Sequence, residues 1–155
     1  MKHELGRSLI EMVGVLAIGG IMTAAAFRAF QVIQTNQNRL IAEDQLRDVA
    51  NNAKILFSGR KSFENISAGY LIKAGAMKID RVKIGGAMTI TALPSDKNSP
   101  KSFEIRIPEI NNSDCLYFAT KKLDFVGMLK VNGYEQTPSS YCQDAAANEL
   151  SFIIK

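Results

Sequence analysis

Hydrophobic residues run almost unbroken from Leu9 to Phe27 (LIEMVGVLAIGGIMTAAAF), with Glu11 as the one charge inside the run. At about 1.5 Å per helical residue the stretch spans roughly 28 Å, close to the hydrocarbon thickness of a bilayer. No proline occurs before Pro94 and no glycine between Gly20 and Gly59, so nothing stops a helix where the apolar run ends. Gln31 to Arg39 is more polar. Ala42, Leu46, Val49, Ala50, Ala53, Leu56 and Phe57 then recur at helical spacing and form one apolar stripe. Ser58-Gly59 supplies a stop signal. One helix from Arg7 to Phe57, about 76 Å long, is therefore predicted, with its stripe packed on the residues that follow. Gly14, Gly19 and Gly20 lie inside it. Small residues let membrane helices approach closely, and the Gly19-Gly20 pair also offers a place where the helix can loosen.

After Gly59 the pattern changes to short elements. Ser67 is placed to cap a short helix through Leu71, Ile72 and Ala74 that Gly75 ends. Val82 to Leu93 has strand character, with Gly85-Gly86 as a bend or bulge. Pro94 to Pro100 is an exposed turn. Ser102 to Ile107 alternates apolar and polar residues and reads as a half-buried strand. Asn111-Asn112-Ser113-Asp114 introduces a helix carrying Cys115, Leu116, Phe118 and Ala119. Phe125 to Val131 is a further strand, ended by Asn132-Gly133, and Leu150 to Ile154 is the last. The sum is an α+β fold: a long N-terminal helix whose second half packs on a small antiparallel sheet.

Charge narrows the function. The formal charge is +4, with Lys and Arg scattered rather than gathered in a run, so nucleic acid is not an expected partner. Lys121-Lys122 and Lys97 with Lys101 are the candidate positive patches, and they read as solvated faces. The only histidine is His3. No phosphate loop, dinucleotide fingerprint or zinc spacing occurs. Asp114, Asp124, Glu135 and Asp144 are scattered and read as surface charges. No catalytic residue, cofactor or metal is expected.

The two cysteines, Cys115 and Cys142, have no C-x-x-C spacing and no neighbouring histidine. They are either a disulfide in an exported chain or two buried thiols in a cytoplasmic one. The N-terminus decides between these. Lys2 and Arg7 flank the apolar run on its N-terminal side, and positive flanks stay in the cytoplasm. The segment then enters N-terminus first, and everything after Arg28 is delivered outside, where a disulfide persists. Closing the 115–142 ring is worth roughly 3–4 kcal/mol by chain entropy. Ala24-Ala25-Ala26 leaves open a cleaved secretory signal, and a plain anchor is the third reading. Neither has a use for Glu11, which costs about 2.5–3.5 kcal/mol if placed at the centre of a membrane helix.

Gly6-Arg7-Ser8-Leu9-Ile10-Glu11-Met12, followed by the apolar run, resembles the processing motif of type IV prepilins and type II secretion pseudopilins. The resemblance implies cleavage after Gly6 by a prepilin peptidase, methylation of the new N-terminus at Arg7, and assembly through Glu11. Arg7 stands where the family usually has phenylalanine or methionine. The implied organisation is a leader at 1–6, a transmembrane and filament-core helix at 7–28, its amphipathic continuation at 29–58, and a head at 59–155 containing the disulfide-bounded region 115–142. The cysteine after Asn111-Asn112-Ser113-Asp114 resembles the type IVb subgroup, while the short leader resembles the other. The implied function is a pilus subunit in a homo-oligomeric helical filament. A type II secretion pseudopilin and a minor pilin that tethers an adhesion or DNA-binding module are the alternatives. Implied partners are the peptidase, the assembly platform and motor proteins, and the bacterial inner membrane before assembly. The head would be periplasmic first and at the cell surface in the assembled pilus.

Overall fold

The structure is a computed structural model and describes residues 4–94, 101–135, 138–144 and 147–155. Its elements are helix α1 (Glu4–Leu56), helix α2 (Ala68–Lys73), strand β1 (Thr89–Ala92), strand β2 (Phe103–Ile110), helix α3 (Asn112–Thr120), strand β3 (Met128–Val131), a 3-10 turn (Pro138–Tyr141) and strand β4 (Asn148–Ile154). The chain divides into two compact units, residues 1–37 and 38–155.

The first unit is helix throughout its described part. Its apolar side chains face outward on every side: Ile10, Leu16, Ile21 and Phe27 are all more than 60% exposed. Its glycines Gly14, Gly19 and Gly20 meet no neighbouring atom.

The second unit is α+β, as the pattern predicts. Its four strands form one antiparallel sheet in the order β1-β2-β4-β3. The core gathers Ala42, Leu46, Val49, Ala50, Ala53 and Phe57 of α1 with Phe103, Ile105 and Ile107 of β2 and Leu150, Phe152 and Ile154 of β4. Leu56 departs from the predicted stripe and is 36% exposed. At about 100° per residue it falls on the margin of the buried arc rather than inside it.

Local signals account for most boundaries. Ser67 caps α2 by accepting from the Tyr70 backbone N–H, and Gly75 follows with φ +72°. Asn111 caps α3 through the Asp114 backbone N–H. The strand expected at 82–93 shrinks to Thr89–Ala92 because Gly85-Gly86 is a docking point, not a bend in a ladder. A Cβ on Gly85 would sit 2.7 Å from the Pro108 carbonyl oxygen, and the Gly86 N–H donates to that oxygen at 2.8 Å. Strand β2 runs three residues past its expected end, through Pro108, because the β2–β4 register shifts between Ile107 and Ile110 and Glu109 turns to φ +60°. Strand β3 starts at Met128 rather than Phe125. Of the expected 94–100 turn only Pro94 lies among the described residues, and Lys97 lies outside them.

Candidate functional site

Gly6 and Arg7 lie in the first turns of α1, and Glu11 lies one turn beyond Arg7. The Glu11 side chain is exposed, amid the exposed Leu9, Ile10, Met12 and Val13. Within α1 an 18-residue window reaches a mean hydropathy of 2.0 with none of it buried, so by length and composition this helix is able to cross a membrane. A helix that is apolar all round is stable only among lipids or other helices. The head half of α1 shows the contrast, since one face of it is sealed by the sheet.

The head half is fastened to the disulfide-bounded region by an ionic seam. Arg39, Glu43 and Arg47 recur every four residues and so share one face of α1. Arg39 Nε donates to Asp114 Oδ1 at 2.6 Å, and its guanidinium lies 4.9 Å from the centre of the Tyr117 ring. Glu43 accepts from Lys121 Nζ at 2.5 Å, and Lys121 also donates to the Tyr117 hydroxyl at 3.1 Å. Arg47 donates to Asp124 Oδ2 at 2.8 Å and stacks over Phe125. The hydrogen bonds to Glu43 and then to Tyr117 hold the Lys121 ammonium above the usual lysine range. The Arg47 hydrogen bond holds the Asp124 carboxyl below the usual carboxylate range.

Of the four carboxylates that read as surface charges, Asp124, Glu135 and Asp144 are exposed and only Asp114 departs from that reading. Asp114 is buried, 5% exposed, because it serves both the start of α3 and Arg39. Asp124, Glu135 and Asp144 are engaged by Arg47, Lys130 and Asn112. Lys121 is half-buried in the seam. Lys101 is not a surface patch either: its ammonium donates to the Phe57 and Arg60 carbonyls, both at 2.9 Å, and so closes the open end of α1.

Cys115 and Cys142 form a disulfide with Cα atoms 5.8 Å apart, joining α3 to the end of the 3-10 turn. A second tie runs beside it. Asn148 is fully buried and donates to the Ile110 and Gln143 carbonyls while accepting from the Gln143 N–H and from Asn132. Asn132, at φ +51°, donates in turn to the Tyr141 carbonyl. The sequence does not single out Arg39, Glu43 or Asn148, and it offers Lys101 only as part of a positive patch. Only the i, i+4 spacing of Arg39, Glu43 and Arg47 hinted at a shared face. Among the described residues, no group of three or more His, Cys, Asp or Glu side chains is placed to hold a metal ion.

No protein-family model matches the sequence, and no curated protein matches it. Solved structures do. The chain is similar to TcpA, a type IV pilin from Vibrio cholerae El Tor biotype, with a TM-score of 0.61 at 16% identity over 77% of this chain and 99% of that one. It is similar to a type IVb pilin from Salmonella typhi, with a TM-score of 0.53 at 16% identity over 72% of this chain and 95% of that one. The fold is that of the type IV pilins: a long apolar N-terminal helix and a small four-stranded antiparallel sheet.

Proposed function

We propose that this chain is the structural subunit of a type IV pilus-like filament. One observation carries the reading: a pilin-fold head follows, in the same 53-residue helix, an apolar segment exposed on every side around a glutamate. Before assembly the inner membrane would cover that segment, and in a filament the same segments of other copies would. Residues 1–6 would be the leader, 7–28 the membrane and filament-core helix, 29–58 its continuation and 59–155 the head. A prepilin peptidase cuts after Gly6 and methylates Arg7. Glu11 then pairs with the new N-terminal amine of a neighbouring copy, and because a buried charge is tolerated only when paired, the contact sets register. The head lies in the periplasm first and on the cell surface afterwards. The platform and motor that drive assembly are separate proteins.

Intact-mass measurement on the chain recovered from membranes and from sheared filaments tests this. The expected product begins at Arg7 and carries one added methyl group. A product beginning near Phe27, found free in solution, overturns the reading. Glu11→Val should be processed and inserted yet absent from filaments, and a normal filament yield from it would remove the role given to Glu11. Abundance separates the finer readings, since a major subunit dominates sheared filaments and a minor pilin or pseudopilin does not.

A further inference from the structure

The turn after β3 is the pair Asn132-Gly133. Both residues have positive φ, +51° and +86°, and Val131 and Tyr134 close the turn with two backbone hydrogen bonds of 2.9 Å. A two-residue hairpin turn of this hand needs positive φ at both positions, which asparagine followed by glycine adopts with little strain. The same pair is open to attack on its own side chain. Glycine has no Cβ, so its backbone nitrogen can approach the side-chain carbonyl carbon of the asparagine before it without obstruction.

The fold holds the Asn132 side chain away from that attack. Its Nδ2 donates to the Tyr141 carbonyl at 2.7 Å and to Asn148 Oδ1 at 3.1 Å, and its Oδ1 accepts from the Glu149 N–H at 2.8 Å. Its own backbone N–H donates to the Glu149 carbonyl at 2.9 Å. The amide is thus held on β4 and the 3-10 turn, and Cγ cannot swing onto the Gly133 nitrogen until those bonds break. Two of the three side-chain bonds depend on the loop that the disulfide and Asn148 fasten. Tyr141 belongs to that loop, and its ring stacks on Tyr134 just beyond the turn, with centres 4.3 Å apart.

We propose that Asn132 is a latent deamidation site, closed while Tyr141 and Asn148 hold its amide and opened when the 138–144 loop lifts. In the reaction the Gly133 nitrogen bonds to Asn132 Cγ, the Cγ–Nδ2 bond breaks, and Nδ2 leaves as ammonia with the Gly133 amide proton. Water then opens the succinimide at either carbonyl and leaves aspartate or isoaspartate at position 132. Neither product has a side-chain donor for Tyr141 or Asn148. A carboxylate there faces two acceptor oxygens, so the loop no longer closes as before. Isoaspartate also adds a methylene to the backbone of a two-residue turn. Opening of the loop is therefore recorded irreversibly in the chain. The proposal rests on the geometry of the head and not on the filament reading.

Peptide mapping of the full chain, held in detergent at mildly alkaline pH, tests this. Deamidation raises the mass of the tryptic peptide 131–155 by one unit, and fragmentation places the change at Asn132. The reduced and denatured chain should convert fastest and the folded wild type slowest. Asn148→Ala, and the wild type with only its disulfide reduced, should each convert about tenfold faster than the untreated wild type, the factor for about 1.4 kcal/mol of lost restraint. Amide exchange in β2 and β4 should stay slow in both, which separates loop opening from loss of the fold. As a second measurement, Asn132→Asp should exchange faster across 138–144 with the sheet still protected. A folded wild type that converts as fast as the denatured chain overturns the proposal, and so does a rate at Asn132 that neither opening raises. A denatured chain that keeps Asn132 intact overturns it too. Loop exchange unchanged in Asn132→Asp overturns the irreversible record.

Discussion

Arg39 Nε lies 2.6 Å from Asp114 Oδ1 and joins the long helix to α3 across 75 residues of sequence. Both side chains are largely buried, at 15% and 7% exposure. Removing one partner strands the other charge, so Arg39→Met should cost about 3–5 kcal/mol in chemical denaturation. Replacing both, Arg39→Met with Asp114→Leu, should cost less than the sum of the two single changes, because no charge is then left buried alone. Additive costs would show that the pair is not coupled.

Leu46 and Leu56 stand in the same apolar stripe of the sequence but differ in burial, at 0% and 36% exposure. Leu46→Ala should cost about 3–4 kcal/mol, with a cavity left between helix and sheet. Leu56→Ala should cost under about 1 kcal/mol. Equal losses in urea denaturation would mean that α1 is rotated on the head.

The disulfide and Asn148 hold the same loop by separate means. Loss of the Cys115–Cys142 bond should cost about 2–4 kcal/mol. Asn148→Ala leaves the Ile110 and Gln143 carbonyls and the Gln143 N–H without their partner, and should cost a comparable 2–4 kcal/mol, roughly, with the disulfide intact. Amide hydrogen exchange across 138–144 should rise in both variants. Protection unchanged in Asn148→Ala would assign the loop's order to the disulfide alone.

The seam gives stability two pH limits. Lys121 is raised above 10.5 by its hydrogen bond to Glu43, so the stability it contributes is complete below the ordinary lysine value and is lost as pH rises through the folded one. Asp124 is lowered from 3.8 by Arg47, so its contribution is present above the ordinary carboxylate value and is lost as pH falls through the folded one. Both groups are solvent-exposed enough that the effects are small. Carboxyl NMR titration should show Asp124 rising toward its ordinary value in Arg47→Leu, since the Arg47 hydrogen bond is the largest cause of its lowering. An unmoved Asp124 would separate it from Arg47.

Much of the fold was legible because it rests on local rules. The long helix follows from the missing breakers between Gly20 and Gly59, and the caps at Ser67 and Asn111 follow from one side chain and the turn after it. The strand at 82–93 was over-read because Gly85 and Gly86 take their conformation from contact with Pro108 and Glu109, which lie more than twenty residues away in the chain. Lys101 and Asp114 read as surface charges in the sequence because a single residue's burial depends on which distant groups meet it.

From the sequence alone came the apolar helix with a glutamate inside its apolar run, the α+β class, and the reading of Cys115 and Cys142 as an exported disulfide. Period, breaker placement and hydropathy act within a few residues, so they are written into the order of the chain. Tertiary structure alone decided that Arg39, Glu43 and Arg47 meet Asp114, Lys121 and Asp124, and that Asn148 anchors the loop. The ion pairs join residues some seventy-five positions apart, and their energy exists only once the backbone has brought the charges within a few ångströms of each other.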